Sequence, residues 1–107
     1  MSRELIRGHL DMLVLSILES APAHGYAIVS ELRRRTGGDF DLPEGTIYPA
    51  LYRLERARLL ASAWSDVGGR RRRTYRLTRS GRTALAARRR EWVAFSRNVA
   101  AVIGGPA

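Results

Sequence analysis

Residues 43 to 60 read PEGTIYPALYRLERARLL. Apolar residues recur there at three- and four-residue spacing, which predicts a helix with one buried face. That face comprises Ile47, Ala50, Leu51, Leu54 and Ala57. Thr46 is a favoured N-cap residue, and a cap there places Pro49 in the first turn, where its missing N–H is not needed. We therefore expect a short amphipathic helix that begins at Thr46.

The other side of this helix carries aromatic and basic side chains, namely Tyr48, Tyr52, Arg53 and Arg56. Tyrosine and arginine both donate hydrogen bonds to phosphates and base edges, and the arginine fork matches guanine in the major groove. The pattern is typical of a helix that contacts DNA. An ordinary surface helix whose tyrosines pack on a neighbour has the same periodicity, so periodicity alone does not distinguish it from a helix that contacts DNA.

The positive charge is concentrated in the second half of the chain. The 107 residues carry a formal charge of +9, and all 19 basic residues are arginine. Residues 1–55 hold six arginines and eight acids, whereas residues 56–107 hold thirteen arginines and two acids. A positive field attracts phosphate backbones through long-range steering and counterion release. The sequence thus predicts a polyanionic partner, with double-stranded DNA as the first candidate.

Composition argues against several other classes of protein. The length suits one domain with a modest core. There is no cysteine for disulfides or thiolate zinc sites, and the two histidines, His9 and His24, lack an HExxH-like spacing. We expect neither an enzyme nor a bound metal or cofactor. No long uncharged apolar run is present, so we expect a cytoplasmic protein without a membrane partner.

Two helices are predicted ahead of residues 43–60. Residues 4–19 are apolar on most sides and predict one buried central helix. His24, Gly25 and Tyr26 open a second helix, which Gly37-Gly38 ends. Its apolar stripe comprises Tyr26, Ile28, Val29 and Leu32. For Tyr26 the spacing favours a core role over a phosphate contact.

A β-hairpin is predicted after residue 60. Residues 60–66 and 74–78 form its strands, with Tyr75 and Leu77 on one face by two-residue alternation. Residues 67–73 between them are predicted to be a flexible glycine turn followed by four arginines, Arg70, Arg71, Arg72 and Arg73. Such a charge run is usually a solvated loop. Beside a helix that contacts DNA, it favours a clamp on the DNA backbone.

The last predicted helix is capped by Thr78 and reaches about residue 103, nearly 40 Å at about 1.5 Å per residue. Its apolar face comprises Leu85, Trp92, Phe95 and Val99. Such a face suits packing against another helix, which favours a two-fold homodimer over a helix folded back on its own domain. Two symmetry-related Trp92 side chains would either simply pack or line a pocket for a flat apolar compound.

The order of elements is that of a winged helix-turn-helix, mostly α with a two-stranded β-hairpin, plus a long C-terminal dimerisation helix. Three motifs make the chain resemble the PadR-type transcriptional regulators, in the short subclass with a single C-terminal dimerisation helix. They are PAHGY at residues 22–26, GTIYPALYRLE at residues 45–55, and GGR with RTYRLT and Gly81 over residues 68–81.

The resemblance implies a dimeric repressor that binds a palindromic operator and is released by a small molecule. It places Thr46, Tyr48 and Arg53 on the recognition helix and residues 68–73 at the tip of the wing. It also places His24, Gly25 and Tyr26 on the helix that lies across the groove, as candidate phosphate contacts. The chain departs from the family pattern at Arg58, where glycine is usual and eases the turn into the hairpin.

We expect residues 1–78 to form the DNA-binding domain and residues 79–107 the dimerisation helix, together one compact unit. Two alternatives remain from the charge alone. One is a nonspecific DNA-binding protein of the nucleoid type, and the other is a module that binds RNA or an anionic surface.

Overall fold

The computed structural model describes residues 2–104 and confirms a mostly helical fold with a two-stranded hairpin and a long C-terminal helix. In chain order the elements are α1 (Arg3–Gly8), α2 (Leu10–Ser20), α3 (Gly25–Arg35), α4 (Glu44–Arg56), β1 (Leu60–Val67), β2 (Arg70–Leu77) and α5 (Arg79–Ile103). We call the β1–β2 hairpin the wing.

The core lies between α2, α3, α4, the base of the wing and the start of α5. Its largest fully buried side chains are Val14, Leu15, Leu18, Ile28, Ile47, Leu51, Leu54, Leu60, Tyr75 and Leu85. Burying a side chain of this size contributes about 1.5–3 kcal/mol. The predicted stripe of α3 is confirmed for Ile28, Val29 and Leu32. The core role predicted for Tyr26 is wrong, because its side chain is 52% exposed and stacks on His24.

The single helix predicted over residues 4–19 is two helices in the structure. α1 ends at Gly8, a residue whose helix propensity is about 1 kcal/mol below that of alanine. His9 at the junction has a φ of −116°, and its N–H donates to the Ile6 carbonyl at 3.0 Å. Ile6 and Leu10 are both buried, so the apolar pattern continues across the junction and does not mark the break.

α4 begins earlier than predicted. Its N-cap is Pro43, so Thr46 lies inside the first turn and is not the cap. Glu44 favours the earlier start because an acid stabilises the positive end of the helix dipole, and because the Tyr48 hydroxyl donates to it at 2.6 Å. Pro49 consequently falls in the second turn, where it leaves the Gly45 carbonyl without its usual helical donor.

The end of α4 is a tight turn centred on Arg58. The predicted buried stripe is confirmed except at Ala57, which is exposed because it is the C-cap residue. Arg58 has a φ of +64°, the left-handed conformation that favours glycine. Its N–H donates to the backbone carbonyl of Glu55 at 2.9 Å, while the Leu59 N–H donates to the backbone carbonyl of Leu54 at 3.0 Å. These two bonds form a Schellman motif, which redirects the chain from α4 into β1.

The four wing arginines lie in a strand and not in the turn. β1 and β2 pair antiparallel, with Leu60 opposite Leu77 and Val67 opposite Arg70. Only Gly68 and Gly69 connect them, both at positive φ, as a two-residue turn of type I′ requires. Because two residues suffice for the turn, strand pairing extends through Arg70–Arg73, and the predicted seven-residue turn is wrong.

α5 is anchored at its start to the rest of the domain. The Thr78 hydroxyl accepts the Gly81 N–H at 3.0 Å, which confirms the predicted cap. A Cβ at Gly81 would lie 2.1 Å from the Leu59 carbonyl oxygen, so only glycine permits this close approach. Leu85 is fully buried in the same core. Its predicted place in an intermolecular interface is therefore wrong, because the first turns of α5 pack on their own domain.

None of the helices within residues 2–104 combines the length and the apolar character that spanning a membrane requires.

We predict that Arg58→Gly stabilises the protein by about 1 kcal/mol, because glycine adopts the left-handed conformation at no steric cost. Urea unfolding measures the change. The matched control is Arg56→Gly in the last turn of α4, which should lose about 1 kcal/mol because glycine weakens helices. Equal destabilisation by both substitutions would contradict the strain assigned to Arg58.

Candidate nucleic-acid interface

An exposed stripe runs along α4 opposite its buried face. Its members are Gly45, Pro49, Tyr52 and Arg56, all exposed and three or four residues apart. Tyr52 and Arg56 were predicted to face DNA, whereas Gly45 and Pro49 were missed. The same helical spacing that found the buried face would have found them. Two hydrogen-bond donors beside an apolar ring suit base edges and thymine methyl groups.

Tyr48 connects α4 to the start of α3. Its ring lies so close to Gly25 that a Cβ there would be 2.8 Å from the Tyr48 Cζ atom. Its hydroxyl donates to Glu44, and this bond with partial burial raises the pKa of Tyr48 to about 12. Tyr48 is half-buried and Gly25 is buried. The structure therefore places Gly25 in helix packing, and not on the surface where a phosphate contact was predicted.

Arg53 lies on a flank of α4 and not on the exposed stripe. Its guanidinium donates to the Asp11 carboxylate of α2. The other oxygen of Asp11 is 3.6 Å from Arg88 Nη1 of α5. Thr46, two helical turns before Arg53, lies on the same flank and is half-buried. The structure thus separates Arg53 from Tyr52 and Arg56, with which it was predicted to share a face, and places it beside Thr46.

Two backbone hydrogen bonds join the wing to the corner before α3. The Ala23 N–H donates to the Tyr75 carbonyl at 3.0 Å, and the Tyr75 N–H donates to the Ala23 carbonyl at 2.9 Å. Tyr75 itself is fully buried. This pairing extends the sheet by one bridge and holds β2 beside the first turn of α3.

His24, Tyr26 and Arg72 meet at this junction. The His24 Nδ1 atom accepts the Ala27 N–H at 3.3 Å and so caps α3. The ring centroids of His24 and Tyr26 are 6.3 Å apart, and the Arg72 guanidinium lies 6.0 Å from the Tyr26 centroid. Arg72 Nη1 is 3.5 Å from His24 Nδ1. These three side chains present two aromatic rings and a positive charge at one place on the surface.

The surroundings of His24 favour its neutral form. Burial and the positive charge of Arg72 lower the pKa of His24 below its usual value, with Glu44 acting in the opposite direction. Below pH 6.5 the unfolded chain therefore binds more protons at His24 than the folded chain does. The free energy of unfolding should therefore decrease as the pH falls below 6.5. Protonation of His24 Nδ1 also removes the acceptor that caps α3.

The remaining wing arginines follow the alternation of strand β2. Arg71 and Arg73 lie on the face that carries Trp64, with guanidinium carbons 5.2 and 5.5 Å from its ring centroid. Arg70 and Arg72 belong to the other face. Arg73 Nη2 is also 3.6 Å from the Glu55 carboxylate of α4.

A groove of about 610 Å³ lies beside Arg53 and Asp11. Its aromatic walls are Trp92 and Phe95, whose ring centroids are 6.3 Å apart. His9 packs against Trp92 with the rings edge-on and the centroids 4.8 Å apart. The charged residues that line it are Arg7, Asp11, Arg53, Arg88 and Glu91.

The far half of α5 exposes large apolar side chains. They are Trp92, Val93, Phe95, Val99, Val102 and Ile103, with exposed fractions between 37% and 86%. Among residues 2–104, no three His, Asp or Glu side chains come close enough to hold a metal ion.

Residues 14–87 match the family described as "Transcriptional regulator PadR-like family". The match includes α3, α4, the wing and the start of α5. The chain belongs to the PadR-like family. It is therefore a DNA-binding transcriptional regulator and not an enzyme.

Individual transcriptional regulators are similar to this chain over nearly its whole length. The transcriptional regulator Rv3488 of Mycobacterium tuberculosis is 37% identical over 97 residues, which cover 91% of this chain and 88% of the relative. A PadR family regulator from Eggerthella lenta superposes with a TM-score of 0.82 at 38% identity, covering 94% and 86% of the two chains. A transcriptional regulator from Clostridium thermocellum superposes with a TM-score of 0.83 at 29% identity, covering 92% of this chain and 94% of that protein.

We predict that Arg72→Ala raises the pKa of His24, because it removes the nearby positive charge. An NMR titration of the imidazole protons measures this shift. Arg70→Ala, two residues away on the same strand face, is the control and should leave the His24 titration almost unchanged. An identical His24 titration in wild-type and Arg72→Ala protein would contradict the proximity of these two side chains.

Proposed function

We propose that this PadR-like regulator is a cytoplasmic homodimer that represses transcription from an inverted-repeat operator, and that a small flat aromatic compound releases it. The observation that carries the proposal is that direct contacts join the exposed stripe of α4, the start of α3 and the wing. The ring centroids of Tyr52 and Tyr48 are 6.1 Å apart, Tyr48 packs against Gly25, and Arg72 lies beside His24. These neighbouring elements together present tyrosine, histidine and arginine side chains.

In this proposal α4 enters the major groove, where Tyr52 and Arg56 contact base edges and Pro49 contacts a methyl group. His24, Tyr26 and Arg72 lie against the phosphates at the groove edge. Arg70, Arg71 and Arg73 contact the flanking backbone. Phosphate contacts fix orientation and supply affinity, whereas base contacts supply sequence preference. In a dimer the two α4 helices would occupy successive grooves about 34–36 Å apart.

We predict that Arg56→Ala lowers affinity for the preferred operator by about 10- to 100-fold while nonspecific affinity falls much less, since one good base contact discriminates by about 1–3 kcal/mol. Competition binding with operator and mixed-sequence duplexes measures both. Arg53→Ala, with the same charge change on the same helix, is the matched control and should retain sequence preference. If Arg53→Ala removed sequence preference and Arg56→Ala did not, the assignment of the exposed stripe would be wrong.

The homodimer is proposed from the exposed apolar residues of α5. Phe95 is 59% exposed and Val99 is 37% exposed, on the same helical face as Trp92. A contiguous apolar face on a long helix is unfavourable in water and is buried when two such helices pack together. Val93 is also exposed but lies on another side of α5, next to Arg90 and Arg97.

We predict that Phe95→Asp shifts the protein from dimer to monomer at micromolar concentration, because it places a charge in the apolar interface. Sedimentation velocity measures the mass. Val93→Asp makes a similar change of charge and size outside the proposed interface and should remain a dimer. A wild-type monomer, or equal dissociation of the two variants, would contradict the dimer.

The groove beside Trp92 is the proposed effector site. Trp92 and Phe95 offer flat apolar walls, and the groove lies at the apolar face of α5, where a second copy would add its own side chains. Arg53 and Asp11 connect the groove to α4, so that a bound compound can alter the placement of the recognition helix. Linkage requires that the effector bind the free protein more tightly than the operator-bound protein.

We predict that flat aromatic compounds which release the protein from its operator also quench Trp92 emission. Because Trp64 and Trp92 are the two tryptophans, Trp92→Phe leaves Trp64 as the single emitter and should abolish the quenching. Trp64→Phe should preserve it. Quenching that disappears only in Trp64→Phe would place the compound at the wing and contradict the groove.

A further inference from the structure

Trp64 is a large, exposed aromatic side chain on the wing, and nothing in the proposed function so far uses it. Its side chain is 55% exposed, although it lies in the middle of β1. In the strand register it stands directly opposite Arg73, and the next pair on the same face is Asp66 and Arg71. One face of the wing tip therefore carries a tryptophan, two arginines and one aspartate.

This face of the wing is the one adjoining the recognition helix. Further down the same face, Ser62 donates to the Glu55 carboxylate of α4, and Arg73 lies 3.6 Å from that carboxylate. The alternation that turns Tyr75 and Leu77 into the core turns Arg71 and Arg73 toward the side on which α4 lies. Arginines on this side are placed to reach the same DNA duplex as α4.

Two arginines on one strand face would normally repel each other. Arg71 and Arg73 are two residues apart, about 6.6 Å along an extended strand, and as long flexible side chains they would sample many directions. The negative face of the Trp64 ring attracts both guanidinium groups, at 5.2 and 5.5 Å from its centroid. The ring thus offsets the repulsion and restricts both arginine side chains before DNA binds. Less conformational freedom is then lost when they bind phosphate.

We propose that Trp64 is a positioning residue for DNA binding, which acts by holding Arg71 and Arg73 ready for the phosphate backbone. The ligand of this cluster is the sugar-phosphate backbone of duplex DNA, recognised without regard to sequence. The inference rests on the DNA-contact surface proposed above. It adds an aromatic residue whose effect on affinity passes through its two arginine neighbours.

The test is a double-mutant cycle on the full chain with a mixed-sequence duplex as the probe. Trp64→Ala should weaken binding about tenfold, because the ordering of two arginine side chains then becomes an added cost of binding. In the Arg71→Ala/Arg73→Ala background, the same substitution should change affinity less than about twofold, because its partners are gone. Trp64→Phe retains an aromatic ring and should lie between wild type and Trp64→Ala. Unchanged thermal unfolding of each variant checks that the fold is intact.

A second readout does not require DNA. In a Trp92→Phe protein, Trp64 is the single tryptophan, and its emission should change when Arg71 and Arg73 are replaced by alanine. The matched replacement of Arg70, on the other face of the wing, should leave that emission as it was.

Two binding results would overturn the inference. The first is that Trp64→Ala costs no affinity. The second is that its cost is as large in the absence of Arg71 and Arg73, in which case Trp64 contacts DNA by itself. Either result differs from a failure of the proposed function, in which the wild-type protein would not bind the duplex at all.

Discussion

The pairing of Ala23 with Tyr75 is the constraint on which the candidate surface depends. Two backbone hydrogen bonds fix β2 beside the start of α3, and the fully buried Tyr75 ring secures the strand to the core. His24 follows Ala23 directly, and Arg72 lies three residues from Tyr75 toward the tip of the wing. The bridge therefore sets the distance between the α3 cap and a wing arginine. Without it the wing would connect to the helices through α2, α4 and the start of α5.

A second set of contacts connects the three helices on the other flank of the domain. Asp11 of α2 binds Arg53 of α4 and lies near Arg88 of α5. A bidentate pair between Glu19 and Arg89, with distances of 3.0 and 2.8 Å, adds a further link between α2 and α5. Exposed ion pairs of this kind stabilise little individually. They nevertheless link α4 through α2 to α5, the helix that carries the proposed dimer face.

Much of the fold could be predicted from apolar periodicity, because burial dictates it. The stripes of α3 and α4, the Thr78 cap and the alternation of Tyr75 and Leu77 all follow from local sequence. The break at His9 and the start of α4 at Glu44 could not be predicted. The break at His9 leaves the apolar pattern uninterrupted. The early start of α4 is favoured by the hydrogen bond between Tyr48 and Glu44, which apolar periodicity does not reveal.

The candidate site was harder to predict because partners distant in sequence decide it. The basic and aromatic residues of α4 form one group in the sequence. In the structure Arg53 instead pairs with Asp11 on a flank of the helix, and the Tyr48 ring packs against Gly25. The run of four arginines in the wing predicts a loop. Gly68 and Gly69 instead form a two-residue turn, so that Arg70–Arg73 belong to β2. Leu85 lies seven residues before Trp92 and so shares its helical face, but the close approach of Gly81 to Leu59 and Leu77 directs Leu85 into the core.

The measurement that tests the central claim most directly is selection of bound fragments from a random duplex library at about 150 mM salt, near physiological ionic strength. The account predicts enrichment of an inverted repeat whose half-sites lie about one helical turn apart, since two copies of α4 must occupy successive major grooves. Salt-sensitive binding without any enriched sequence would contradict it. That result would indicate a nonspecific DNA-binding protein held to the backbone by charge alone.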